Sequence, residues 1–429
     1  MTPLTPSPIQ KEFLLQAEHL CRGAELIPAN VEFLARRLQT AVETQTALRV
    51  KLGLDPTRPD LHLGHAVVLK KLRAFQDLGH QAVLIIGDAT ATIGDPSSKN
   101  QTRPPLTDEE VAINAETYLA QAGKIILTDK AEIVRNSTFF KPMGLSQLLQ
   151  LMAQMTVAQM LVREDFAKRY ANGTAISLHE FLYPLMQGYD SVMVKADIEL
   201  GGTDQRFNNL VGRDLQLAYA RLQGLPEPTP QQVLLLPLLE GTDGKVKMSK
   251  SYPEHCINFT DTPNDLFGKI MSIPDSLILR YETLLTPLPV EQLEQHREWL
   301  ENPEKHQINP RDLKVNLAKF VVAMFHPAHC AEEAETAFVN QFKNKALPED
   351  IPTHTLSLGE HSLVQVLVET GLATSKSEAR RLIQGGGVKL NGDEKLTDVE
   401  ALLCVTIETP LVLQAGKRKF VRLMAEAHV

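Results

Sequence analysis

The sequence predicts an α/β fold in which a doubly wound, Rossmann-like parallel sheet is followed by an α-helical domain and a small α+β domain. Strand-like apolar runs alternate with amphipathic helical patterns in the first part of the chain, as they do in parallel βαβ units. Helical patterns alone then occupy residues 262–345, and shorter mixed patterns close the chain. The length of 429 residues is typical of about three domains.

The first predicted βαβ unit starts with the strand-like run LRVKLGL. Side-chain alternation in this run puts leucine and valine on one face and Lys51 and Gly53 on the other. The turn DPTRPD, a helix from about His65 and a second apolar run, QAVLIIGDAT, come next. An amphipathic helix over residues 30–46 precedes this unit, and the run VKADIELGG predicts a further strand.

Changes in pattern along the chain define the predicted domain boundaries. The α/β domain is predicted at residues 1–240, the helical domain at 241–345, a linker at 346–359 and the C-terminal domain at 360–429. The linker is predicted because the segment ALPEDIPTHTLSLGE combines prolines with polar residues.

Composition and charge exclude several classes of protein. No apolar run reaches the roughly 18–20 residues that cross a bilayer, and the N-terminus lacks the basic and apolar regions of a secretory signal. The four cysteines lie far apart with no CxxC pair, so that neither a disulfide framework nor a protein-bound metal site is expected. These features predict a cytoplasmic protein without membrane association. The net charge of −8 argues against indiscriminate nucleic-acid binding.

Two short motifs predict a site for nucleotide phosphates. In the first, His62 and His65 flank Gly64 at the predicted junction of strand and helix, where a helix N-terminus offers unpaired N–H groups and a partial positive charge. The second, Lys247-Met248-Ser249-Lys250-Ser251, supplies two ammonium groups. Paired histidines near a turn are also compatible with simple solvation, and the lysine motif with a basic surface loop. Neither a GxxxxGK[ST] nor a GxGxxG phosphate loop is present.

Three further segments carry polar side chains in positions suited to binding. In YPLMQGYD, Tyr183, Gln187 and Asp190 lie at i, i+4 and i+7, so that a hydroxyl, an amide and a carboxylate share one helical face. In GGTDQ the glycines allow a tight strand-to-helix turn, and Thr203 is expected to cap the next helix. The segment IGDPSSKNQTR contains Asp95. These segments are also compatible with structural roles, as a buried helix, a plain helix cap and an Asp-Pro turn respectively.

The histidine motif after DPTRPD and the KMSKS sequence together resemble the class I aminoacyl-tRNA synthetases, whose ATP site is built from these two motifs. The other three segments resemble those of the tyrosyl-tRNA synthetase family, and the resemblance extends over the whole chain. It implies ATP as a substrate, with Mg²⁺ bound to its phosphates and not to a dedicated protein site. Tyrosine and tRNA(Tyr) are the other implied substrates. The implied reaction is attack of the tyrosine carboxylate on the α-phosphate of ATP, followed by transfer of the tyrosyl group to the terminal ribose of the tRNA.

The resemblance also implies three groups of site residues. Catalytic roles at the phosphates and the ribose are expected for Thr57, His62, His65, Lys247 and Lys250. Contacts with the rest of ATP and with pyrophosphate are expected for Gly53, Asp55, Gly64, Lys99, Arg103, Gly202, Asp204, Met248 and Ser249. Contacts with tyrosine are expected for Asp95, Asn136, Tyr183, Gln187, Asp190 and Gln205. In these groups Asp204 would bind the ribose hydroxyls, and Asp190 would accept a hydrogen bond from the phenol.

The last part of the chain resembles the small RNA-binding module named after ribosomal small-subunit protein four. Lys376, Arg380 and Arg381 cluster on one predicted helix, and Gly416-Lys417-Arg418-Lys419 adds a second basic group. Such clusters suit contacts with an RNA backbone, although a solvated basic helix has the same pattern. The family resemblance also implies a homodimer.

Two alternatives remain open from the sequence. Tryptophanyl-tRNA synthetase shares the class and the fold, but YPLMQGYD with Asp190, the GGTDQ segment and the C-terminal module argue against it. A non-catalytic RNA-binding or splicing protein on the same scaffold is the other alternative. Both ATP motifs and the substrate-binding residues are intact, which argues against that reading.

Lys51 departs from the family pattern, in which many members carry a tyrosine that helps to recognise the substrate phenol. Strand alternation puts Lys51 on the same face as Gly53 and Asp55, and therefore towards the site. An ammonium can donate to the phenolic oxygen but cannot accept from it. We expect Lys51 either to pair with a carboxylate such as Asp190 or to turn towards solvent. We expect Asp190 to carry most of the selectivity against phenylalanine.

Overall fold

The structure, a computed structural model, describes residues 8–94, 107–249, 252–306, 309–343, 351–392, 394–406, 410–416 and 419–425. They form two compact units, residues 1–331 and 332–429. Within these segments, no helix has both the length and the apolar character needed to cross a membrane.

A six-stranded sheet forms the centre of the first unit. Its strands are β1 (Glu25–Ile27), β2 (Arg49–Leu54), β3 (Gln81–Ile86), β4 (Glu132–Arg135), β5 (Ile198–Gly202) and β6 (Gln232–Leu236). They lie in the order β1-β6-β5-β2-β3-β4, and all neighbours are parallel except β1, which pairs antiparallel with β6. Because β2 lies between β3 and β5, the chain builds the sheet outwards from the middle in both directions. The predicted doubly wound sheet is confirmed.

Helices connect these strands and continue beyond them. They are α1 (Lys11–Cys21), α2 (Val31–Glu43), α3 (Leu63–Asp77), α4 (Asp108–Ala122), α5 (Ser137–Phe140), α6 (Leu145–Met152), α7 (Val157–Met160), α8 (Glu164–Ala171), α9 (Leu182–Met193), α10 (Arg206–Leu222), α11 (Pro263–Met271), α12 (Ile278–Leu285), α13 (Val290–Glu301), α14 (Pro303–His306), α15 (Pro310–Phe325) and α16 (His329–Lys343). The boundary between the two units falls within α16.

Local sequence explains the first βαβ unit. Almost every residue of β3 is buried, because an internal strand of a parallel sheet is covered on both faces. The predicted strands β2, β3 and β5 and the predicted helices α2 and α3 are all present. The strands β1, β4 and β6 were not predicted. Strands β1 and β4 are three and four residues long and give little periodic signal.

The helical region after β6 belongs to the same compact unit as the sheet. The described residues between 262 and 343 are mostly helical, as predicted. Helix α11 packs against α15, and Leu266 and Phe267 of α11 and Leu317 and Val321 of α15 are buried. The sequence suggested a separate helical domain from residue 241, whereas the compact unit continues without a break to residue 331.

The second unit is a small α+β module. Its strands are β7 (Thr353–Leu356), β8 (Gly359–Ser362), β9 (Val388–Leu390), β10 (Glu394–Leu396), β11 (Leu402–Val405), β12 (Leu411–Ala415) and β13 (Lys419–Ala425), and its further helices are α17 (Leu363–Glu369) and α18 (Lys376–Gln384). Five strands form a sheet in the order β10-β9-β12-β13-β7, and β8 pairs with β11. Buried Leu363, Leu367, Ile383 and Leu413 belong to its core. Strand β7 lies in the predicted linker 346–359 but pairs with β13, so the module starts before residue 360.

Candidate active site

A cleft of about 310 Å³ lies at the carboxyl ends of the parallel strands, beside β2 and β5. Ligands bind at such points in open α/β sheets because the chain leaves neighbouring strands in opposite directions there. Most of the predicted site residues line this cleft: Gly53, Asp55, Thr57, His62, Gly64, His65, Tyr183, Gln187, Asp190, Gly202, Asp204, Gln205, Lys247, Met248 and Ser249. Asp95, Lys99, Arg103 and Lys250 lie outside the residues that the structure describes.

The two histidines of the first motif cap helix α3 together. The Nδ1 atom of His62 accepts a hydrogen bond from the backbone N–H of Gly64 at 3.2 Å, and Nδ1 of His65 accepts from the N–H of His62 at 3.2 Å. A neutral imidazole whose Nδ1 accepts carries its proton on Nε2, which is then a donor. The motif therefore supplies N–H donors rather than fixed charges. A Cβ at Gly64 would lie only 3.0 Å from the His62 ring, so a larger residue here would press on the capping imidazole.

The histidine motif is hydrogen-bonded to the chain that follows the lysine motif. The backbone N–H of Leu63 donates to the carbonyl of Ile257 at 2.9 Å, and the N–H of Phe259 donates to the carbonyl of Leu61 at 2.9 Å. These two bonds form an antiparallel bridge centred on His62 and Asn258. The two ATP-related motifs thus share one local backbone framework, although they are far apart in sequence.

The described part of the lysine motif lies against the GGTDQ segment. The Nζ atom of Lys247 is 3.2 Å from Oδ2 of Asp204, and both side chains are partly exposed. The backbone N–H of Met248 donates to the carbonyl of Leu239 at 2.7 Å, and the thiol of Cys256 donates to the carbonyl of Ser249 at 3.1 Å. An ammonium and a carboxylate that the resemblance assigns to phosphate and ribose are therefore ion-paired to each other.

Helix α9 presents its three predicted side chains to the cleft, as the i, i+4, i+7 spacing indicated. The hydroxyl of Tyr183 donates to Oδ2 of Asp55 at 2.8 Å, which joins α9 to the end of β2. The amide of Gln187 donates to Oδ1 of Asn209 at 2.8 Å. Asp190 lies one turn further along the helix and is buried. This face therefore combines a hydroxyl, an amide and a carboxylate in one wall of the cleft.

Asp190 is the most perturbed titratable group in the cleft. Burial raises the pKa of Asp190 to about 7, while the nearby Lys51 ammonium and a hydrogen bond from Asn136 oppose this effect. Its Oδ1 atom accepts no hydrogen bond from the described residues. A buried carboxylate oxygen without a donor is costly, and a hydroxyl brought in by a ligand would satisfy it.

Asn136 lies behind the wall of the cleft and not in it. Its Nδ2 atom donates to Oδ2 of Asp190 and to Oγ1 of Thr90, both at 3.3 Å, and its Oδ1 accepts from the N–H of Ala89 at 2.9 Å. The side chain is completely buried. The resemblance implied a direct contact between Asn136 and tyrosine, whereas the geometry makes Asn136 a support for Asp190.

The glycines of the GGTDQ segment allow close packing at the end of β5. A Cβ at Gly202 would lie 2.5 Å from Oδ1 of Asp204, and one at Gly201 would lie 2.6 Å from Nδ2 of Asn209. Thr203 was expected to cap the following helix, and this is wrong. It begins a short 3₁₀ turn, Thr203–Gln205, and neither that turn nor α10 has a side-chain cap.

Two residues at the end of β3 were missed by the sequence analysis. Oγ1 of Thr90 donates to Oδ1 of Asp55 at 2.8 Å, so that Asp55 is held by both Thr90 and Tyr183. A Cβ at Gly87 would lie 2.0 Å from Oδ1 of Asp55, so any larger residue would displace this carboxylate. The signal was available, because both residues follow a buried parallel strand, whose carboxyl end lies at the functional edge of the sheet.

Lys51 lines the cleft and pairs with a carboxylate, as expected, but that carboxylate is Glu199 and not Asp190. Its side chain is fully buried, and its Nζ atom pairs with Oε1 of Glu199 at 2.9 Å rather than with Asp190 or with solvent. Glu199 lies directly opposite Lys51 on the neighbouring strand β5. The sequence analysis missed Glu199 because the pairing of β2 with β5 depends on strand order, which local patterns do not reveal.

Known families match the chain from residue 43 to residue 423. The family model for class I tRNA synthetases (W and Y) matches residues 43–343, and that for the tyrosine–tRNA ligase SYY-like C-terminal domain matches residues 342–423. The chain is 48% identical to a tyrosine–tRNA ligase of Colwellia psychrerythraea over 406 residues, which covers 94% of this chain and 97% of the relative. It is 49% identical to one of Thermotoga maritima over 382 residues, covering 89% and 92% respectively.

Solved structures with a similar fold include two tyrosyl-tRNA synthetases. A C-terminally truncated mitochondrial enzyme of Aspergillus nidulans superposes with a TM-score of 0.61 at 21% identity and covers 78% of this chain and 95% of its own. The enzyme of Archaeoglobus fulgidus, complexed with L-tyrosine, superposes with a TM-score of 0.56 at 23% identity and covers 75% and 99%. At these identities the likeness concerns the fold.

Proposed function

The chain belongs to the tyrosine–tRNA ligase family of class I aminoacyl-tRNA synthetases, and we propose that the cleft beside β2 and β5 is where it activates tyrosine. The family activity joins tyrosine to tRNA(Tyr) at the expense of ATP. One observation carries the assignment of the cleft: both ATP-related motifs and the polar face of α9 line the same cavity. The following residue roles are parts of this proposal.

Tyrosine is proposed to lie along α9 with its phenol at Asp190. The unpaired Oδ1 of Asp190 accepts the phenolic hydrogen, and Asn136 holds the other carboxylate oxygen in place. Tyr183 and Gln187, together with Asp95, bind the α-amino group, and Gln205 lies near the substrate carboxylate. This orientation puts the carboxylate towards the ATP motifs and the phenol at the closed end of the cleft.

ATP is proposed to occupy the open end of the cleft, between the histidine and lysine motifs. Asp204 accepts the ribose hydroxyls and therefore exchanges its ion pair with Lys247 for hydrogen bonds from ATP. Gly53, Gly64 and Gly202 let the nucleotide approach the backbone, and His65 contacts the ribose. The remaining contacts with ATP and pyrophosphate are assigned to Asp55, Lys99, Arg103, Met248 and Ser249.

The chemical step needs positioning and charge stabilisation more than covalent catalysis. The tyrosine carboxylate attacks the α-phosphate in line, a carboxylate–phosphorus bond forms, and the bond to the β-phosphate bridging oxygen breaks. Thr57, His62, Lys247 and Lys250 bind the charge that develops on the phosphates. Lys247, once released from Asp204, becomes available to the departing pyrophosphate. In the second step a ribose hydroxyl of the tRNA attacks the tyrosyl carbonyl and releases AMP.

Mg²⁺ is proposed to enter with ATP and not to occupy a protein site. Asp55 in the cleft is already hydrogen-bonded to Thr90 and Tyr183. Among the described residues, the group of side chains close enough to share a metal ion is His329, Cys330 and Glu333, none of which lines the cleft. Mg²⁺ commonly keeps several waters and binds through substrate phosphates. It can therefore be held by ATP without a set of protein ligands in the cleft.

The proposal is tested by ATP–pyrophosphate exchange with tyrosine, tryptophan and phenylalanine in parallel. Exchange that depends on tyrosine alone supports it. Exchange that depends on tryptophan would instead indicate a tryptophanyl-tRNA synthetase. No exchange with any of the three amino acids would indicate a non-catalytic RNA-binding protein. Charging of tRNA(Tyr) with the same enzyme then tests the second step.

A homodimer is also proposed. Leu145, Leu149 and Met152 form an exposed apolar stripe at i, i+4 and i+7 on α6, and exposed Val157 follows on α7. Such a stripe suits contact with a second copy of the chain. In sedimentation experiments Leu149→Asp is expected to yield monomers, whereas Leu225→Asp, at another exposed leucine, leaves the dimer intact. A monomeric wild-type protein contradicts this part.

The C-terminal module is proposed to bind tRNA, and the protein is proposed to act in the cytoplasm. Lys376, Arg380 and Arg381 are exposed on α18, where they are available to phosphates. Lys417 and Arg418 lie outside the described residues. The four cysteines are unpaired, as is usual in a reducing compartment.

A further inference from the structure

A buried ion pair forms part of the wall beside the proposed phenol pocket. Lys51 on β2 and Glu199 on β5 are direct neighbours across the two parallel strands. Their side chains are 0% and 1% exposed, and Nζ lies 2.9 Å from Oε1. Burial removes both charges from water, which carries a large desolvation cost. Because well-packed apolar side chains often serve stability equally well or better, the fold alone does not explain this pair.

Every hydrogen of the Lys51 ammonium has an acceptor within the protein. Nζ donates to Oε1 of Glu199, to Oγ of Ser191 at 2.7 Å and to the backbone carbonyl of Gln187 at 2.7 Å. An ammonium has three donors, so none remains for a substrate phenol. Lys51 therefore does not replace the tyrosine that many family members carry at this position as a direct contact to the substrate.

The Glu199 carboxylate is also saturated with donors. Its Oε2 atom accepts from Oγ of Ser191 at 3.0 Å and from Nε2 of Gln231, and its Oε1 accepts from Lys51 and, at 3.4 Å, from Nε2 of Gln187. The pair is thus the centre of a buried polar network. Removing one charge leaves the other buried without its counter-ion, which is more disruptive than removing both.

The network holds the turn of α9 that carries Asp190. Gln187 and Ser191 lie three residues before and one residue after Asp190, and both are hydrogen-bonded to the ion pair. Lys51 and Glu199 also act on Asp190 through their charges. Lys51 lowers the pKa of the Asp190 carboxyl, whereas Glu199 and Asp55 raise it, and burial has the largest effect. These are the charged groups that face Asp190 from β2, β5 and the loop after β2.

We propose that Lys51 and Glu199 act as one positioning unit for substrate selectivity, which fixes the turn of α9 around Asp190 and balances the charge that Asp190 experiences. This inference rests on the proposed role of Asp190 at the phenol. Lys51 favours the ionised form of Asp190, whose charge strengthens the hydrogen bond from the phenolic hydroxyl. Glu199 neutralises Lys51, so that the ammonium does not instead capture Asp190.

The test compares the pH dependence of selectivity in three variants, Lys51→Met, Glu199→Gln and the double variant. The readout is the ratio of kcat/KM for tyrosine to kcat/KM for phenylalanine in pyrophosphate exchange between pH 5.5 and 8.5. Ionisations that change kcat/KM for both amino acids equally cancel in this ratio. In the wild type it is expected to fall as the pH drops below about 7, because a protonated Asp190 has lost the charge that strengthens the hydrogen bond from the phenol.

The single variants are expected to move the midpoint of this fall in opposite directions. Lys51→Met removes the positive neighbour of Asp190, so the midpoint moves to higher pH and the ratio at pH 7 drops about tenfold. Glu199→Gln removes a negative neighbour, so the midpoint moves to lower pH and selectivity persists at pH 6. The double variant is expected to lie between the two. A role confined to structure lowers activity without these opposite shifts.

Matched controls separate folding from selectivity. Lys314→Met removes a buried lysine on α15, paired with Asp275, and is expected to leave the midpoint unchanged. If Lys51→Met does not fold, the shift of the midpoint in Glu199→Gln provides the test. This variant is less disruptive, because glutamine keeps an acceptor for the Lys51 ammonium. Midpoints that stay at the wild-type pH, or move in the same direction, overturn the inference. A wild-type protein without tyrosine-dependent exchange would instead contradict the proposed function.

Discussion

At the scale of single residues, several charged groups of the cleft already have partners within the protein, which the proposed substrates would replace. Lys247 is paired with Asp204, and Asp55 is bound by Thr90 and Tyr183. Such partners hold each side chain near its working position before the substrate arrives, which reduces the ordering needed on binding. Under the proposed roles they also couple two binding events, since a ribose that binds Asp204 would release Lys247.

The role of Lys247 is tested by Lys247→Ala. An ammonium beside a departing pyrophosphate matters more in the transition state than in the ground state. We expect the rate of adenylate formation to fall by the equivalent of about 2–4 kcal/mol, with tyrosine affinity in the absence of ATP almost unchanged. Lys245→Ala, at an exposed lysine two residues earlier, is the matched control. A collapse of tyrosine affinity would assign Lys247 to the amino-acid pocket instead.

The raised pKa of Asp190 predicts that this carboxyl lowers the stability of the folded protein at neutral and higher pH. The folded protein holds the Asp190 proton up to about pH 7, whereas an unfolded aspartate loses it near pH 4. Folding stability therefore falls as the pH rises from about 4 to about 7 and stays reduced above that range. Asp190→Asn removes this effect and is expected to raise the unfolding free energy at pH 8 by about 2–4 kcal/mol. Denaturant unfolding at pH 5 and pH 8 measures it, and a variant less stable than wild type at pH 8 contradicts it.

At the scale of elements, the position of α9 depends on its close approach to α10. A Cβ at Gly188 would lie 2.9 Å from side-chain atoms of Leu215 and Val211 and 3.1 Å from the backbone N of Gly212. Gly212 in turn leaves room for Gln231, Ser191 and Glu199. Two glycines therefore let the helices meet closely enough for the polar network around Lys51 and Glu199 to close.

Gly188→Ala is expected to separate the two helices slightly. Overpacking of this kind costs about 1–3 kcal/mol of stability, and KM for tyrosine should rise because Gln187 and Asp190 move with α9. Gly268→Ala on α11 is the matched control, since a Cβ there meets nothing within 4 Å and alanine favours helix by about 0.5–1 kcal/mol. Thermal unfolding and exchange kinetics of both variants decide the point. Equal stability of the two variants would show that the contact between α9 and α10 does not require a glycine at residue 188.

The sequence predicted the elements with clear periodicity and the motifs at their ends. β2, α3 and β3 were predicted from apolar spacing, and the histidine motif from its place at the start of α3. The partner of Lys51 was not predictable, because Glu199 is brought to it by the pairing of β2 with β5. Gln231 and Asn209 reach the same network from other elements. Side chains joined only by strand order leave no local signal in the sequence.

At the scale of the whole molecule, the chain combines an α/β unit that carries the cleft with a small α+β module. The sheet of that module includes β7, which pairs with β13. A truncation at residue 359 would therefore leave β7 without its partner strand, whereas one at residue 350 removes the strands β7–β13 together. The two family models also meet close to residue 343.

A chain that ends at residue 350 is expected to keep tyrosine-dependent pyrophosphate exchange within a few-fold of the full-length protein, because the residues lining the cleft precede residue 250. Charging of tRNA is expected to fall sharply, because the basic side chains of α18 are lost. In the full-length protein, Lys376→Ala combined with Arg380→Ala should weaken tRNA binding and its dependence on salt. Equal loss of exchange and charging after truncation would make the module part of the catalytic fold.

The central claim is that this cleft selects tyrosine by its phenol through Asp190, with Lys51 acting indirectly. Tyrosyl-tRNA synthetases are themselves the standard example of discrimination against phenylalanine, about 10⁵, attributed to buried polar groups left unpaired. The most direct measurement is the ratio of kcat/KM for tyrosine and phenylalanine in the wild type, Asp190→Ala and Lys51→Ala. We expect Asp190→Ala to lose most of the discrimination and Lys51→Ala a smaller part. A larger loss in Lys51→Ala than in Asp190→Ala would contradict it.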